Sequence, residues 1–291
     1  YGVQNINITN RFPFNIYPMS NKLTFFDDKS FSMDGNISIG NFAFSGKELV
    51  FNYEDFAFYF SHNSLLSFID KVDSRVLSSS LIHFDKGVLY IDSTDNKSGV
   101  YENNNFPKFK VDNTCFLSYK NDPVVFLIHP FSITYLHDMS LSNLTFPGAL
   151  YLDGEECYAP GVLGFNGTRN LQTYIEQDSI NLFKDNIRLK GALRLNEQGL
   201  FASGKFYSNY IEFEANNLQI FSGKMLGFVN HLKSGSYFQN NTFVIDKAIL
   251  NYSPYDSAFL IKSGDGLFQI YNKFNFSGDL YYDGENLNGS G

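Results

Sequence analysis

The chain has 291 residues, with 22 Lys plus Arg against 30 Asp plus Glu and a formal charge of −8. That balance excludes the basic footprint of a nucleic-acid or anionic-membrane binder. The 32 Phe and 19 Tyr, with no Trp, suit a pleated, half-buried surface, and no apolar run approaches the roughly 18 residues that a membrane helix needs.

From the amino end, Gly35-Asn-Ile-Ser-Ile to Ser45-Gly46 is the first, faint copy of a repeated unit. Period-2 patterning follows at Leu49, Phe51 and Tyr53 and again at Phe56, Phe58 and Phe60, as in strands with one buried face. The pattern breaks at Ser64 to Ser78, where Leu65, Leu66, Ile69, Val72, Val76 and Leu77 share a helical face, so the spacing predicts a short helix there. Leu171, Ile175 and Leu182 predict a second, weaker helix between Arg169 and Phe183. Division at these breaks gives a β segment over 1–62, a helical connector over 63–84, and a β-repeat region over 85–291 that is truncated within a repeat.

The repeat is clearest where Gly191-Ala-Leu to Ser203-Gly204 aligns without gaps to Gly278-Asp-Leu to Ser290-Gly291. Both keep two Leu positions, Leu193 with Leu200 and Leu280 with Leu287. Gly148, Leu150 and Gly161 repeat the frame, and Gly87, Leu89 and Gly99 repeat it one residue shorter. Alternating Leu residues around turn-forming Asn196 to Gly199, Asp153-Gly154 or Asp283-Gly284 read as hairpin-like corners. The closing Ser-Gly reads as a bulge or a close backbone approach. Gly204 is followed by a strand-like Lys205, Phe206, Tyr207, whereas Gly291 is not, so the returning strand is expected beyond this stretch in a longer array.

Ligand chemistry is sparse. Among His62, His83, His129, His137 and His231 no pair has the three- or four-residue spacing that puts two imidazoles on one metal. Asp92, Asp95 and Asn96, and separately Asp153, Glu155 and Glu156, form oxygen-rich turns without the alternating ligand order of a calcium loop. Glu212 and Glu214 imitate an acid/base couple but read as one solvated strand face. Cys115 and Cys157 read as unpaired core thiols. Acceptor triplets at Asn7, Asn36, Asn96, Asn143, Asn166, Asn240, Asn251, Asn275 and Asn288 read as a product of composition, with a glycosylated ectodomain as the alternative.

Leu89-Tyr-Ile-Asp to Ser98-Gly99, Phe106-Pro-Lys-Phe, Pro130-Phe-Ser-Ile and the Gly191–Gly204 unit together resemble stretches of very long, uncharacterised, repeat-containing exported proteins of Bacteroidetes-type bacteria. The resemblance covers roughly residues 85 to 291 and implies envelope location and great length, but no activity. The Gly148 copy departs from it, with Glu156-Cys157 where the Gly-Leu centre stands. A weaker resemblance is to the repetitive β grooves of bacterial lipid-bridge proteins.

The expected architecture is mostly β: repetitive antiparallel hairpins in a solenoid-like stack or curved, groove-forming sheet, with one or two short helices. The expected function is non-enzymatic, a structural segment of a long exported envelope protein that spans distance or presents a surface. The alternatives are a lipid-carrying groove and a glycan-binding or adhesive module. No cofactor, metal, nucleic acid or transmembrane helix is expected, and the expected partners are other segments of the same chain or envelope proteins, with lipid or glycan as ligands.

Overall fold

The computed structural model describes residues 6–9, 11–19, 21–70, 75–76, 81–118, 124–152, 157–167, 170–234 and 243–291. They are mostly strand, joined into antiparallel hairpins, with one 3-10 turn at Leu141–Asn143. No helix among them is long and apolar enough to cross a membrane. The chain divides into two compact units, residues 1–118, 127–148 and 163–171 against 119–126, 149–162 and 172–291.

Among the described residues neither predicted helix forms. Ser64–Asp70 is a strand, bonded on one side to Phe42–Asn52 through Phe44↔Leu66 and on the other to Ile82–Phe84 through Leu66↔Ile82. Leu65, Leu66 and Ile69 fit a helical face, but so short an apolar run fits either period. What decides is Phe68, buried with Leu66 and Ser64 at every second position. The described part of the 63–84 connector is therefore strand, packed in the first unit with the strands before and after it; residues 71–74 and 77–80 lie outside the described set. The second predicted helix is the strand Leu171–Leu182. Its register shifts between Gln177 and Ile180, so buried positions run 171, 173, 175, then 180 and 182. A bulge that changes phase in mid-strand imitates helical spacing.

In the first unit, Phe31–Ile39 and Phe42–Asn52 form a hairpin closed at Ile39↔Phe42. Its turn carries Gly40 at φ 57, a left-handed conformation that glycine adopts without strain. Gly87–Tyr90 lies between Ala57–Phe60 and Lys108–Val111, with Phe131–Ile133 beyond. These strands aim their Phe side chains at one layer. The Phe109 ring centre stands 4.7 Å from Phe44, 5.1 Å from Phe84 and 6.0 Å from both Phe60 and Phe131, the tilted and edge-on spacing that aromatic rings prefer.

The second unit is a meander. Leu171–Leu182, Ile187–Asn196, Gly199–Tyr207, Ile211–Phe221, Lys224–Ser234 and Phe243–Ser253 each pair with the next. Phe243–Ser253 then takes two shorter neighbours along its free side, Ala258–Lys262 and Phe268–Ile270. Phe274–Phe276 returns on Phe268–Ile270, Asp279–Tyr282 on Ala258–Lys262, and Leu287–Ser290 on Asp279–Tyr282. The inner face is a series of buried cross-strand rows, such as Ile175, Leu193, Ala202 and Leu218. Phe51, Phe56, Phe58 and Phe60, which patterning singles out, are buried, as are Phe213 and Phe243, whereas Phe274 is exposed and Phe276 half-buried.

Candidate interaction face

The repeat glycines have a common geometry in three copies. Gly191 faces Gly204 across the hairpin whose strands close at Asn196↔Gly199, and Gly35 faces Gly46 in the same way. Gly278 faces Gly291 beside the pair Asp279↔Ser290. Gly191, Gly204 and Gly278 have φ of 154, 138 and 140, a region essentially restricted to glycine. A Cβ on Gly191 would strike the Ser203 carbonyl oxygen, one on Gly204 the Lys190 carbonyl oxygen, and one on Gly278 the Ser290 carbonyl oxygen. Gly204 also sits where the register to Ile211–Phe221 shifts, between Ala202 and Gly204. Leu193, Leu200 and Leu280 fill the core beneath, while Leu287 is half-buried.

The other copies differ. Gly87 and buried Leu89 lie on a strand whose partners are Ala57–Phe60 and Lys108–Val111, and Gly99 stands in a turn at φ 68. This copy is therefore not a hairpin, and its two glycines do not face each other. Gly148 and buried Leu150 lie on Thr145–Leu152 and Gly161 on Cys157–Phe165; residues 153–156, with Asp153, Glu155 and Glu156, lie outside the described residues.

The oxygen-rich turn at Asp92 is a buried polar pin. One Asp92 carboxylate oxygen accepts from the Ser93 N–H at 2.8 Å and the other from the Asn96 amide at 3.0 Å. That same Asn96 amide donates to the Tyr101 carbonyl at 2.9 Å, and the Tyr101 N–H donates back to the Asn96 side-chain oxygen at 3.0 Å. Both side chains are buried and pair with each other, as buried polar groups must. The same burial hides the acceptor amide of the Asn96 triplet.

The histidines are dispersed. His62 approaches Asp85 at 3.6 Å and His231 approaches Asp246 at 3.5 Å, both exposed. His83 stacks on Phe116 at 4.6 Å, with burial holding its pKa below the ordinary value. His137 stacks on Phe12 at 3.5 Å, and the His129 N–H donates to the Pro147 carbonyl at 2.9 Å. Among the described residues no three His, Cys, Asp or Glu converge as metal ligands. Cys115 is a free, buried thiol, pushed up to about 12 by burial and the nearby Asp85 charge.

The outer face of the second unit is the part that sequence reading missed. One cross-strand row runs Tyr174, Arg194, Phe201, Gln219, Leu226, Asn251, Leu260 and Tyr281. Eight strands at about 4.8 Å spacing make it roughly 34 Å long. The Arg194 guanidinium lies over the Phe201 ring at 5.2 Å and donates to Asn217 at 3.0 Å. Phe228, 77% exposed, borders a cavity of about 680 Å³ lined by apolar Ile245, Ala248, Ile249 and Leu267 and by charged Asp246, Lys247 and Asp265. The cavity opens where the loop Ser263–Leu267 leaves Phe243–Ser253 between its two short neighbours.

Toward the other end of the same strands the face is charged. Lys205 pairs with Glu214 at 3.0 Å and Lys233 with Glu212 at 2.6 Å, all four solvated. The Lys205 hydrogen bond holds the Glu214 carboxyl below its usual range. Each carboxylate thus has its own ammonium neighbour, the arrangement of opposite charges facing each other across strands and not of a coupled acid/base pair. No family model and no curated protein matches the chain.

Proposed function

We propose that this chain is a non-enzymatic structural segment of a long exported cell-envelope protein, built from glycine-cornered hairpins and presenting a broad strand face. The observation that carries the reading is the burial of Phe51, Phe56, Phe58, Phe60, Phe213 and Phe243 inside the units. Six rings at about 1.5–3 kcal/mol each favour a closed core over an open apolar channel. The resemblance of the repeat motifs to exported bacterial proteins supports the envelope part of this reading. The experiment is binding of the hydrophobic dye ANS to the native chain: weak binding is expected, and strong binding displaced by phospholipid would refute the closed core.

A second reading, carriage of a lipid, is favoured by one feature, the cavity beside Phe228, whose lining combines Ile245, Ala248, Ile249 and Leu267 with the polar groups of Asp246, Lys247 and Asp265. Native mass spectrometry of the purified chain separates the two, since a carrier retains lipid and a scaffold does not.

A further inference from the structure

The three facing-glycine corners differ in what lies beside the strand that enters them. After Gly204, Lys205, Phe206 and Tyr207 pair with Lys190, Leu189 and Arg188, and Ile187 and Leu189 are fully buried. After Gly46, Leu49, Val50 and Phe51 pair with Met33, Ser32 and Phe31, and Phe31 and Met33 are buried. In the third corner the entering strand is Phe274–Phe276. By alignment on Gly278, Phe274 and Phe276 stand where Ile187 and Leu189 stand in the first. Phe274 is nevertheless 63% exposed and Phe276 half-exposed.

The cause is on the edge. Phe274–Phe276 bonds to Phe268–Ile270 on one side, and among the described residues no strand pairs with its other side. Asn275, between the two rings, is exposed as well. An antiparallel edge with one side of its backbone unpaired, one exposed aromatic at Phe274 and a second, Phe276, half-covered by Phe268 is a template for strand addition, in which backbone bonds give affinity and alternate side chains give specificity.

We infer that the Phe274–Phe276 edge is a strand-acceptor site. Its occupant is an extended peptide strand running antiparallel to it with the polar-aromatic-aromatic pattern of Lys205-Phe206-Tyr207, the sequence that fills this place in the first corner. The inference rests on the reading of the chain as a structural hairpin array, and it holds or fails independently of envelope location and of lipid.

The test extends the full chain after Gly291 by Lys-Phe-Tyr-Ser, with Lys-Pro-Tyr-Pro as the control, because proline cannot donate to a ladder. The aromatic extension is expected to raise the melting temperature by about 1–2 °C over the control, the shift that roughly 1 kcal/mol gives at about 2.1 cal/mol/K of unfolding entropy per residue. It is also expected to slow amide exchange in 274–276 and to leave exchange at 187–189 unchanged. Equal melting and equal exchange for the two extensions would overturn the inference. So would sedimentation showing that the unextended chain is a dimer dispersed by Phe274→Lys, since a second copy would then occupy the edge.

Discussion

Gly191 and Gly204 stand opposite each other in neighbouring strands, each occupying the space that the other's backbone leaves only for a hydrogen. A side chain at Gly204 would meet the Lys190 carbonyl oxygen while forced into a φ of 138. Gly204→Val should therefore destabilise by about 3 kcal/mol, combining backbone strain with overpacking. Asn209→Val, in an exposed loop nearby, should cost less than about 0.5 kcal/mol. Chemical denaturation of the two variants checks this, and equal midpoints would deprive the corner of its structural meaning.

The Asn96 side chain makes three hydrogen bonds in a buried turn. Asn96→Ala leaves the Asp92 carboxylate, the Tyr101 carbonyl and the Tyr101 N–H short of partners, at about 1–3 kcal/mol for unsatisfied buried groups. Because Asp92 is already paired within the protein, added calcium should leave the melting temperature unchanged. A rise in melting temperature with calcium, abolished in Asp92→Asn, would show a cation site instead.

Cys115 is buried, with its thiol pushed from 9.0 to about 12. A raised folded-state value means that the folded chain holds its proton where the unfolded chain releases it. The stability from this group is thus complete below about pH 9 and is lost as pH rises toward 12. At pH 8 Cys115 should react with thiol reagents, site by site in a mass spectrum, far more slowly in the native than in the denatured protein, because its thiolate is scarce and shielded. Equal labelling rates would contradict the burial.

The ion pairs Lys205–Glu214 and Lys233–Glu212 are solvated, so each should contribute less than about 1 kcal/mol. Lys205→Ala and Lys233→Ala should melt within a degree or two of the parent. A large loss in either variant would mark the charged rows as more than a solvated strand face.

The spacing of Gly191 and Gly204 is visible in sequence because a single hairpin joins them, whereas their facing each other is a matter of register that the spacing does not state. The same spacing misled at Gly87, whose strand finds its partners at Ala57–Phe60 and Lys108–Val111; long-range pairing leaves no mark in local spacing. At Leu171–Leu182 a bulge disguised a strand as a helix. The outer row from Tyr174 to Tyr281 was invisible for another reason: its members come from eight strands and adjoin only through register.

Phe109 and Phe274 give the sharpest contrast between a covered and an uncovered ring. Phe109 is fully buried and lies 4.7–6.0 Å from the rings of Phe44, Phe84, Phe60 and Phe131. Phe109→Ala removes a ring from a packed layer and leaves a void, a change that costs about 3–5 kcal/mol. Phe274, mostly in solvent, has little to lose, and Phe274→Ala should cost less than about 0.5 kcal/mol. If the Phe faces instead lined an open groove, Phe109 would already be hydrated, its truncation would be nearly as cheap, and the two denaturation midpoints would coincide. A separation of several kcal/mol between the variants is therefore the expected result, and its absence would remove the closed core on which the scaffold reading stands.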